Sequence, residues 1–475
     1  MKIWPLRFRE LGPSRVLFAD DAGGYFVSDP AFLQRYVDSA LSDTDRKFLY
    51  EHGHAFNRVG DLQHTSFTWR WTARQSAREK IAYVILVPTL RCNLTCTYCQ
   101  VSRAAENAKG YDWDTDTLEA VLGFLDRLET DEIKVEFQGG EPLLRSDLLR
   151  RVRDHCRKRF SRSEFVVCTN LQRLGPDEIG FLDAVDTYTS TSLDGGLLHH
   201  ERYRTRNRAL TEEFFENLDT VVQRFGQRVS ALPTVDIDDP PEIETLVTAF
   251  ESYGFSSIYL RPVNYHGFAR RRRAQRDDLS RWNAFYDEFI DFLIDRNFQT
   301  GHVMEEFYLS LCLRRMLQPG HDGHVDLRNP SLPASDYVLI DFDGRLYPSD
   351  EARMLSRIGQ IDLSIGTAHD GIDQEAIAAR VPSAFNNFDP DCIHCPYQPF
   401  CGTDPIDDVS RYRRVDIPRQ DTWFCGRQLA VFDKAMSLIY SSDERVLYSL
   451  RKWAGLATWP NSLAPEHHDT SAHTS

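Results

Sequence analysis

From residue 81 onward, short runs rich in apolar and β-branched residues alternate with longer stretches whose apolar positions recur at helical spacing. The first pattern predicts strands and the second predicts amphipathic helices. Such alternation is typical of successive βα units that build a parallel sheet. The predicted strands span 81–88, 132–138, 163–169, 187–193, 229–235 and 256–262, and the predicted helices span 114–129, 146–160, 176–184, 210–226, 240–253 and 280–296.

Six βα units are too few to close an eight-stranded barrel. The pattern therefore predicts an α/β fold centred on a partial (β/α)6 TIM-like barrel over residues 81–300, with an open mouth that could admit a large substrate. Asp114 and Ser146 are acceptable N-cap residues for two of its helices. Functional residues of parallel barrels collect at the carboxyl ends of the strands, so the chemistry is expected there.

The first 80 residues have a pattern of their own. Short β-rich runs near 8–11, 15–19 and 25–28 are separated by Gly and Asp turns, and helix candidates follow at 30–41 and 43–52. We expect a small N-terminal α+β domain over 1–80, either a structural cap on the barrel or a peptide-recognition domain with an exposed strand edge. Residues 301–430 are expected to form a C-terminal extension, followed over 431–475 by a helix and a polar tail, 461–475, whose composition predicts disorder.

Composition narrows the possible functions. The formal net charge of −15 over 475 residues argues against broad nucleic-acid binding. No apolar run is long enough to span a bilayer and the first ten residues do not read as a secretory signal, so a cytoplasmic location is expected. In that compartment the ten cysteines indicate metal binding or catalysis before disulfides. One basic run, 270–273 with Arg276, is interpreted as solvated surface or as a contact for an acidic peptide segment.

The most informative segment is 91–100, directly after the first predicted strand. It contains Cys92, Cys96 and Cys99 in the spacing C-x3-C-x2-C. Zinc sites generally use paired cysteine units that supply four ligands, and no fourth Cys or His lies nearby in the sequence. A [4Fe–4S] cluster takes four cysteine thiolates, so a loop with three leaves one iron open to a ligand that is not protein. A cluster with an open iron is the favoured interpretation, and a zinc knuckle or simple packing is the alternative.

Polar and glycine-rich segments end the strands that follow. After the second strand, two consecutive glycines let the backbone approach a ligand closely. After the sixth, an arginine offers a cation for a carboxylate. Each segment alone is a common turn, but their order after successive strands indicates one binding site at the barrel mouth. The candidate binding residues are Gln138, Gly139, Gly140, Glu141, Pro142, Asn170, Ser192, Asp194 and Arg261.

A second cysteine group lies near residue 400. Its four members could hold zinc or a fully ligated [4Fe–4S] cluster, and spacing alone does not separate the two. His394, inside this group, is expected to fill space. The group consists of Cys392, Cys395, Cys401 and Cys425, whereas Cys156, Cys168 and Cys312 are interpreted as buried free thiols, with Cys312 a conceivable further ligand.

The first cysteine group, with Tyr98 just before its last member, resembles the signature of the radical S-adenosylmethionine (SAM) superfamily, in which a GGEP segment grips the amino group of SAM. The second is similar to the SPASM extension of maturases that carry one or two auxiliary clusters. Ser349 and Pro405 stand where cysteines of the inner auxiliary cluster are expected, so the resemblance implies one auxiliary [4Fe–4S] cluster. In sulfatase-maturing members the aspartate at the position of Asp350 is a general base, and a turn or N-cap role is the alternative.

Nearly the whole chain resembles the His-Xaa-Ser system radical SAM maturases of the HxsB type. The similar stretches are 17–23, 99–103, 136–144, 167–170, 347–354 and 401–405. The resemblance implies an enzyme that cleaves SAM reductively to a 5′-deoxyadenosyl radical and abstracts hydrogen from a ribosomally made peptide, forming a crosslink or another oxidised linkage.

The same resemblance implies that all seven cysteines of the two groups are metal ligands and that Tyr98 and the strand-end residues contact the cofactor. Its implied partners are a precursor peptide, an electron donor such as flavodoxin or ferredoxin, and a second radical SAM protein. A sulfatase-type maturase that makes formylglycine and a non-catalytic peptide-binding scaffold are the alternative functions.

Overall fold

The computed structural model describes residues 1–75, 80–267, 269, 278–318, 332–381, 385–414, 416–456 and 465–467. The predicted basic run, 270–273 with Arg276, lies outside the described residues. No described helix combines the length and the apolar character needed to cross a membrane.

The first 75 residues form an α+β unit around an antiparallel sheet with the strand order β2–β3–β4. Aromatic side chains such as Phe18, Phe26 and Phe32 fill its own small core. The three predicted strands and both predicted helices are present. The elements are β1 (Lys2–Ile3), β2 (Arg7–Gly12), β3 (Arg15–Ala19), β4 (Tyr25–Ser28), α1 (Pro30–Val37), α2 (Asp43–Glu51), β5 (Ala55–Phe56) and α3 (Leu62–Gln75).

The central part follows the predicted alternation closely, because its strands and helices bury the apolar positions that the sequence repeats. Its elements are β6 (Tyr83–Leu86), β7 (Arg91–Cys92), β8 (Ala104–Ala105), α4 (Thr115–Asp126), β9 (Glu132–Phe137), α5 (Ser146–Arg159), β10 (Arg162–Cys168), α6 (Pro176–Leu182), β11 (Thr187–Ser192), α7 (Leu197–His200), α8 (Arg208–Phe225), β12 (Val229–Leu232), β13 (Thr234–Val235), α9 (Ile243–Ser252), β14 (Ser257–Ile258), β15 (Arg261–Pro262) and α10 (Asp278–Thr300).

The C-terminal part is mainly helical. Helices α11, α15 and α16 pack against one another and against the end of the central part, so its core is continuous with that of the barrel. The elements are β16 (Glu305–Glu306), α11 (Phe307–Leu317), β17 (Tyr337–Ile340), β18 (Leu346–Tyr347), α12 (Asp350–Arg357), β19 (Gly366–Thr367), β20 (Gly371–Ile372), α13 (Gln374–Ala378), α14 (Pro405–Tyr412), α15 (Trp423–Ile439) and α16 (Glu444–Trp453).

Among the described residues, the main sheet has seven strands in the order β12–β11–β10–β9–β6–β17–β18. Strands β6, β9, β10, β11, β12 and β17 run parallel, and β18 pairs antiparallel with β17. One face of each strand packs under the helices, as Val135 and Phe137 do on β9, while Glu136 between them points to the inner face. The predicted partial α/β barrel is confirmed.

Two features of the sheet differ from the prediction. The predicted strand 229–235 breaks at Pro233, which cannot donate to the ladder. The predicted single strand 256–262 is wrong, since it divides into β14 and β15, which pair outside the main sheet with β16 and β13. Strand β17 takes the place beside β6, and no local pattern indicated that a segment about 250 residues later would do so.

The predicted disorder of 461–475 is wrong for residues 465–467, which are ordered against β4. Glu466 forms an isolated parallel bridge with Val27. His467 is buried, with 3% of its surface exposed. The remaining residues of the predicted tail lie outside the described part of the chain.

Candidate functional site

The three-cysteine loop leaves the end of β6 at the carboxyl mouth of the barrel. Its thiols lie close enough to act on one another electrostatically. Burial raises the pKa of Cys92, and Glu141, Cys96 and Cys99 raise it further. Burial raises the pKa of Cys96 to about 11, although Arg204 opposes the shift. Cys92 is buried, and Cys96 and Cys99 are partly buried. Three neighbouring thiols of this kind are suitable ligands for a cluster that binds their thiolate forms.

The glycine pair after β9 clamps the start of this loop. The Gly140 amide donates to the Thr89 carbonyl at 3.0 Å, and the Glu141 amide donates to the Arg91 carbonyl at 2.8 Å. A Cβ on Gly140 would lie 2.2 Å from the Arg91 oxygen. Gly139 has φ +143°, a conformation that side chains disfavour, and its Cβ would lie 2.2 Å from the Thr89 oxygen. The close approach of two backbones explains why both positions are glycine.

Glu141 joins the second strand end to the third. Its carboxylate accepts from the Thr169 hydroxyl at 2.8 Å and from the Asn170 amide at 2.7 Å. Burial raises the pKa of Glu141 to about 7. The Asn170 side-chain amide reaches back to Asn93 Oδ1 at 2.8 Å and lies 3.7 Å from Cys92 Sγ. The GGEP segment and the end of β10 therefore brace the cysteine loop from below.

A buried ion pair braces the loop from the other side. Asp194 accepts from the Tyr98 hydroxyl and from two Arg204 nitrogens, and its second oxygen also accepts from the Thr234 amide at 2.8 Å. Burial opposes ionisation of Asp194, yet Arg204 holds its pKa below the usual value. Tyr98 and Asp194, which were predicted to contact the cofactor, are thus hydrogen-bonded to each other, and Asp194 is also bonded to Arg204 and Thr234. Sequence reasoning missed Arg204, which belongs to no motif and sits in a single π turn, 201–205.

Ser192 and Arg261, two further candidates, lie at the ends of β11 and at β15, and both are half-buried. The Arg261 guanidinium lies 5.9 Å from the centre of the Tyr259 ring. Ser192 ends a strand of the main sheet, whereas Arg261 begins a short strand outside it. Their roles as cofactor contacts stay predictions.

The inner face of the barrel carries a polar group that the sequence did not reveal. Glu136 accepts from the Tyr83 hydroxyl at 2.6 Å, the Gln138 side-chain amide at 2.6 Å and the Cys168 thiol at 3.3 Å. Burial, then Glu136, then Asp350, raise the pKa of Cys168. Cys168, predicted to be a buried free thiol, is a free thiol that is partly buried and hydrogen-bonded to Glu136. The side chain of Gln138 is hydrogen-bonded to the same carboxylate.

Asp350 is the first residue of α12, and Ser349 is the N-cap, because the Ser349 hydroxyl accepts from the Ala352 amide at 3.1 Å. One Asp350 carboxylate oxygen accepts from two nitrogens of the buried Arg353, at 2.7 and 2.9 Å. Its charge acts to raise the pKa of both Cys168 and His266, so its carboxylate lies near these two side chains. The serine that stands at an expected cysteine position thus has a local role, capping the helix that carries Asp350.

A cavity of about 550 Å³ opens beside Asp350, between the barrel and the C-terminal part. Ser349, Glu351 and Pro405 line it, as does His266, whose Nδ1 has no hydrogen-bond partner in the described part of the chain. Burial lowers the pKa of His266 to about 4, so its imidazole is neutral. The cavity also carries charges of both signs, from Arg261, Arg380, Asp404, Asp407, Arg419 and Arg427.

The second cysteine group is brought together by the fold. The pKa of Cys401 is raised, mainly by burial. The neighbouring thiols of Cys395, Cys425 and Cys392 raise it further, and Cys312 adds to the effect. Burial raises the pKa of Cys392 to about 12 and that of Cys425 to about 11. His394 is exposed at the surface of the loop.

Cations surround this group. Arg9 and Arg7, both on β2, act on Cys395, and Arg419 acts on Cys392 and Cys425. Arg9 is fixed by a bidentate pair with Asp433, at 2.7 and 2.8 Å. Four neighbouring thiols near fixed cations match the ligand chemistry of a cluster with net negative charge.

No group of three or more His, Cys, Asp or Glu side chains in the described ranges converges tightly enough to hold a single metal ion. The fit of the two cysteine groups to [4Fe–4S] clusters rests on the number, burial and mutual influence of their thiols and on the glycine cradle below the first group.

The fold and the site together define a class: α/β proteins with a partial barrel of parallel strands, whose mouth holds a three-cysteine loop braced by a glycine pair. Residues 86–247 match the model of the Radical SAM superfamily. This matching stretch contains the loop, the glycine pair and Asp194.

An uncharacterized protein of Methanocaldococcus jannaschii is 31% identical over 119 residues. The match spans 25% of this chain and 40% of the length of that relative.

Among solved structures, native anSMEcpe with bound AdoMet is similar, with a TM-score of 0.60 and 16% identity, over 78% of this chain and 99% of that one. The same protein with AdoMet and the Cp18Cys peptide gives the same values. Streptococcus suis SuiB bound to precursor peptide SuiA covers 87% of this chain and 97% of its own, with a TM-score of 0.51 and 12% identity. At these identities the likeness shows the shared fold.

Proposed function

We propose that this protein is a radical SAM maturase that modifies a ribosomally made peptide of the His-Xaa-Ser type, forming a crosslink or another oxidised linkage. The radical SAM domain and its iron–sulfur ligand set support the reaction class. The peptide substrate is supported by the cavity beside Asp350 and by the fact that two proteins of similar fold, anSMEcpe and SuiB, were crystallised with peptides. The His-Xaa-Ser assignment rests on the resemblance of the sequence motifs.

In this proposal Cys92, Cys96 and Cys99 hold the cluster with the open iron, and the backbone at Gly139 and Gly140 receives the amino group of SAM. When bound, the cluster and SAM together supply reductive cleavage of SAM and hydrogen abstraction from the peptide. The second cysteine group holds an auxiliary [4Fe–4S] cluster, which either accepts the surplus electron or braces the fold. An external protein such as flavodoxin or ferredoxin supplies the reducing electron.

The observation that carries the peptide assignment is the position of Asp350 relative to the cavity. Its two sequence neighbours, Ser349 and Glu351, line the space, and Arg353 fixes one oxygen of its carboxylate. A buried arginine that donates two hydrogen bonds to one carboxylate oxygen fixes the orientation of that carboxylate. Asp350 itself does not line the cavity, and we assign it the role of taking the proton from a peptide bound there, with the neutral imidazole of His266 in the cavity wall.

The first test is release of 5′-deoxyadenosine from anaerobically reconstituted protein with SAM and dithionite. Wild type should release it, and the Cys92/Cys96/Cys99→Ala variant should not. No release from either, with the clusters of the wild type shown to be present, would favour the scaffold alternative or an obligatory partner protein. A Cys-x-Pro-x-Arg peptide converted to formylglycine would instead identify a sulfatase-type maturase.

The second test addresses Asp350. Asp350→Asn should lose peptide product by at least a hundredfold, since one positioned acid–base group typically contributes about 10²–10⁴ in rate. SAM binding and iron content should be unchanged. The matched control is Asp370→Asn, because the Asp370 side chain is 75% exposed in the same part of the chain. Product formation by Asp350→Asn at the rate of this control would remove Asp350 from the mechanism.

A further inference from the structure

A groove on the N-terminal unit lies between the open edge of β4 and helices α1 and α2. We call it the edge groove, and its described walls are Val27, Ser28, Phe32, Asp45 and Phe48. Residues 465–467, here called the tail segment, fill it. They are separated from β4 by more than 430 residues, so neither a hairpin nor a local turn holds them there.

The tail segment binds as an added strand would. The Val27 amide donates to the Pro465 carbonyl at 3.3 Å, and the His467 amide donates to the Val27 carbonyl at 2.9 Å. The Ser28 hydroxyl donates to the His467 carbonyl at 3.0 Å. Such pairing binds the backbone of an extended peptide, and specificity then depends on contacts with the side chains of that peptide.

The side-chain selectivity lies in a pocket for an imidazole. The His467 ring is 2.7 Å, through Nε2, from Asp45 Oδ1. It stacks on Phe48 with ring centres 4.4 Å apart and meets the edge of Phe32 at 5.2 Å. The preceding Glu466 pairs with Arg15 at 3.7 Å. A carboxylate below two aromatic rings recognises histidine, and the arginine favours an acidic residue before it.

The groove is built without help from the tail segment. Arg35 holds both Asp45 oxygens at 2.8 Å, and Asp45 completes a capping box with Ser42 at the start of α2. Phe32 belongs to the core of the N-terminal unit. Asp45 and Phe32 thus have partners besides His467 that fix their positions.

We propose that the edge groove is a binding site for an extended peptide segment with an acidic residue followed by histidine, and that residues 465–467 occupy it in cis as a displaceable ligand. The site lies mainly on the N-terminal unit, and the Tyr440 hydroxyl after α15 also donates to the Pro465 carbonyl at 3.1 Å. It uses none of the residues assigned to the clusters or to SAM. Binding there is thus independent of the proposed catalytic function, and failure of one leaves the other standing.

The test uses a fluorescein-labelled peptide with the sequence of residues 463–469. Anisotropy titrations compare the full chain with a chain that ends at Leu456, and far-UV circular dichroism and thermal melting check that the shortened chain is folded. The shortened chain should bind the peptide at least tenfold more tightly than the full chain does. The same peptide with alanine in place of His467, and a scrambled peptide of the same composition, should bind it at least tenfold more weakly.

The full-length variant His467→Ala provides a second measurement that does not depend on truncation. It should gain binding of the labelled peptide, whereas His369→Ala, which changes a side chain that is 86% exposed, should behave as wild type. Equal binding by the full and shortened chains would overturn the proposal, because the groove would then not be where the peptide binds. The proposal would also be overturned if the folded shortened chain and the His467→Ala variant both bound the labelled peptide no more tightly than the scrambled peptide.

Discussion

Replacement of Asp194 by asparagine tests whether the buried pair beneath the cysteine loop supports the fold. The change keeps the shape of the side chain and removes its charge. Asp194 has no exposed side-chain surface, and Arg204 is only 12% exposed. Arg204 would be left as a buried cation without its counter-charge, and the Tyr98 hydroxyl and the Thr234 amide would lose a charged acceptor. Breaking a buried pair by removing one partner typically costs about 3–5 kcal/mol.

Urea unfolding of the anaerobic protein measures this loss, and iron content per chain measures its effect on the loop. The matched control is Asp186→Asn, because Asp186 also forms a bidentate pair, with Arg157, at 2.7 and 2.8 Å, but on the surface. That control should cost less than about 1 kcal/mol. Arg204 also favours the thiolate of Cys96, so we expect Asp194→Asn to retain less iron at the first group while the second group keeps its own.

The pH dependence of the free energy of unfolding checks whether the ionised form of Asp194 is the stabilising one. Because the pKa of Asp194 in the folded protein lies below its ordinary 3.8, its ionised form contributes stability above that pH. The difference between wild type and Asp194→Asn should persist at neutral pH and shrink as the pH falls through the lowered pKa. A loss at neutral pH no larger than that of Asp186→Asn would refute the reasoning.

Three other predictions follow from single sites. Burial raises the pKa of Glu306 to about 7 from 4.5, so the folded chain binds a proton that the unfolded chain has lost, and stability should fall as pH rises across that window. The slope is at most about 1.4 kcal/mol per pH unit, and urea unfolding of Glu306→Gln should show it flattened. Gly140→Ala should abolish iron binding at the first group, because its Cβ meets the Arg91 carbonyl at 2.2 Å, whereas Gly180→Ala, with nothing within 4 Å, should keep it. Cys425→Ala should remove about half of the iron, because one of two clusters would lose a ligand, while 5′-deoxyadenosine release persists; loss of all iron would contradict two independent groups.

The sequence by itself determined the elements that repeat locally. Apolar periodicity located the strands and helices of the barrel to within a few residues, because burial of one face selects the same positions in sequence and in space. The three-cysteine loop and the glycine pair were also visible, since both depend on neighbouring residues. The carboxyl ends of parallel strands meet at one edge of a sheet, so their order already predicted a shared site.

Tertiary structure decided the pairings between distant segments. Strand β17 joins β6, Arg204 pairs with Asp194, and Arg9 lies against the second cysteine group, yet none of these partners is marked by a local pattern. The tail segment, 465–467, shows the reason most clearly. Its polar composition predicted disorder, but the groove of the N-terminal unit supplies a strand edge, a carboxylate and two aromatic rings that order it. Contacts between distant segments depend on which surfaces folding brings together. The composition of one segment does not indicate which other segment it will contact.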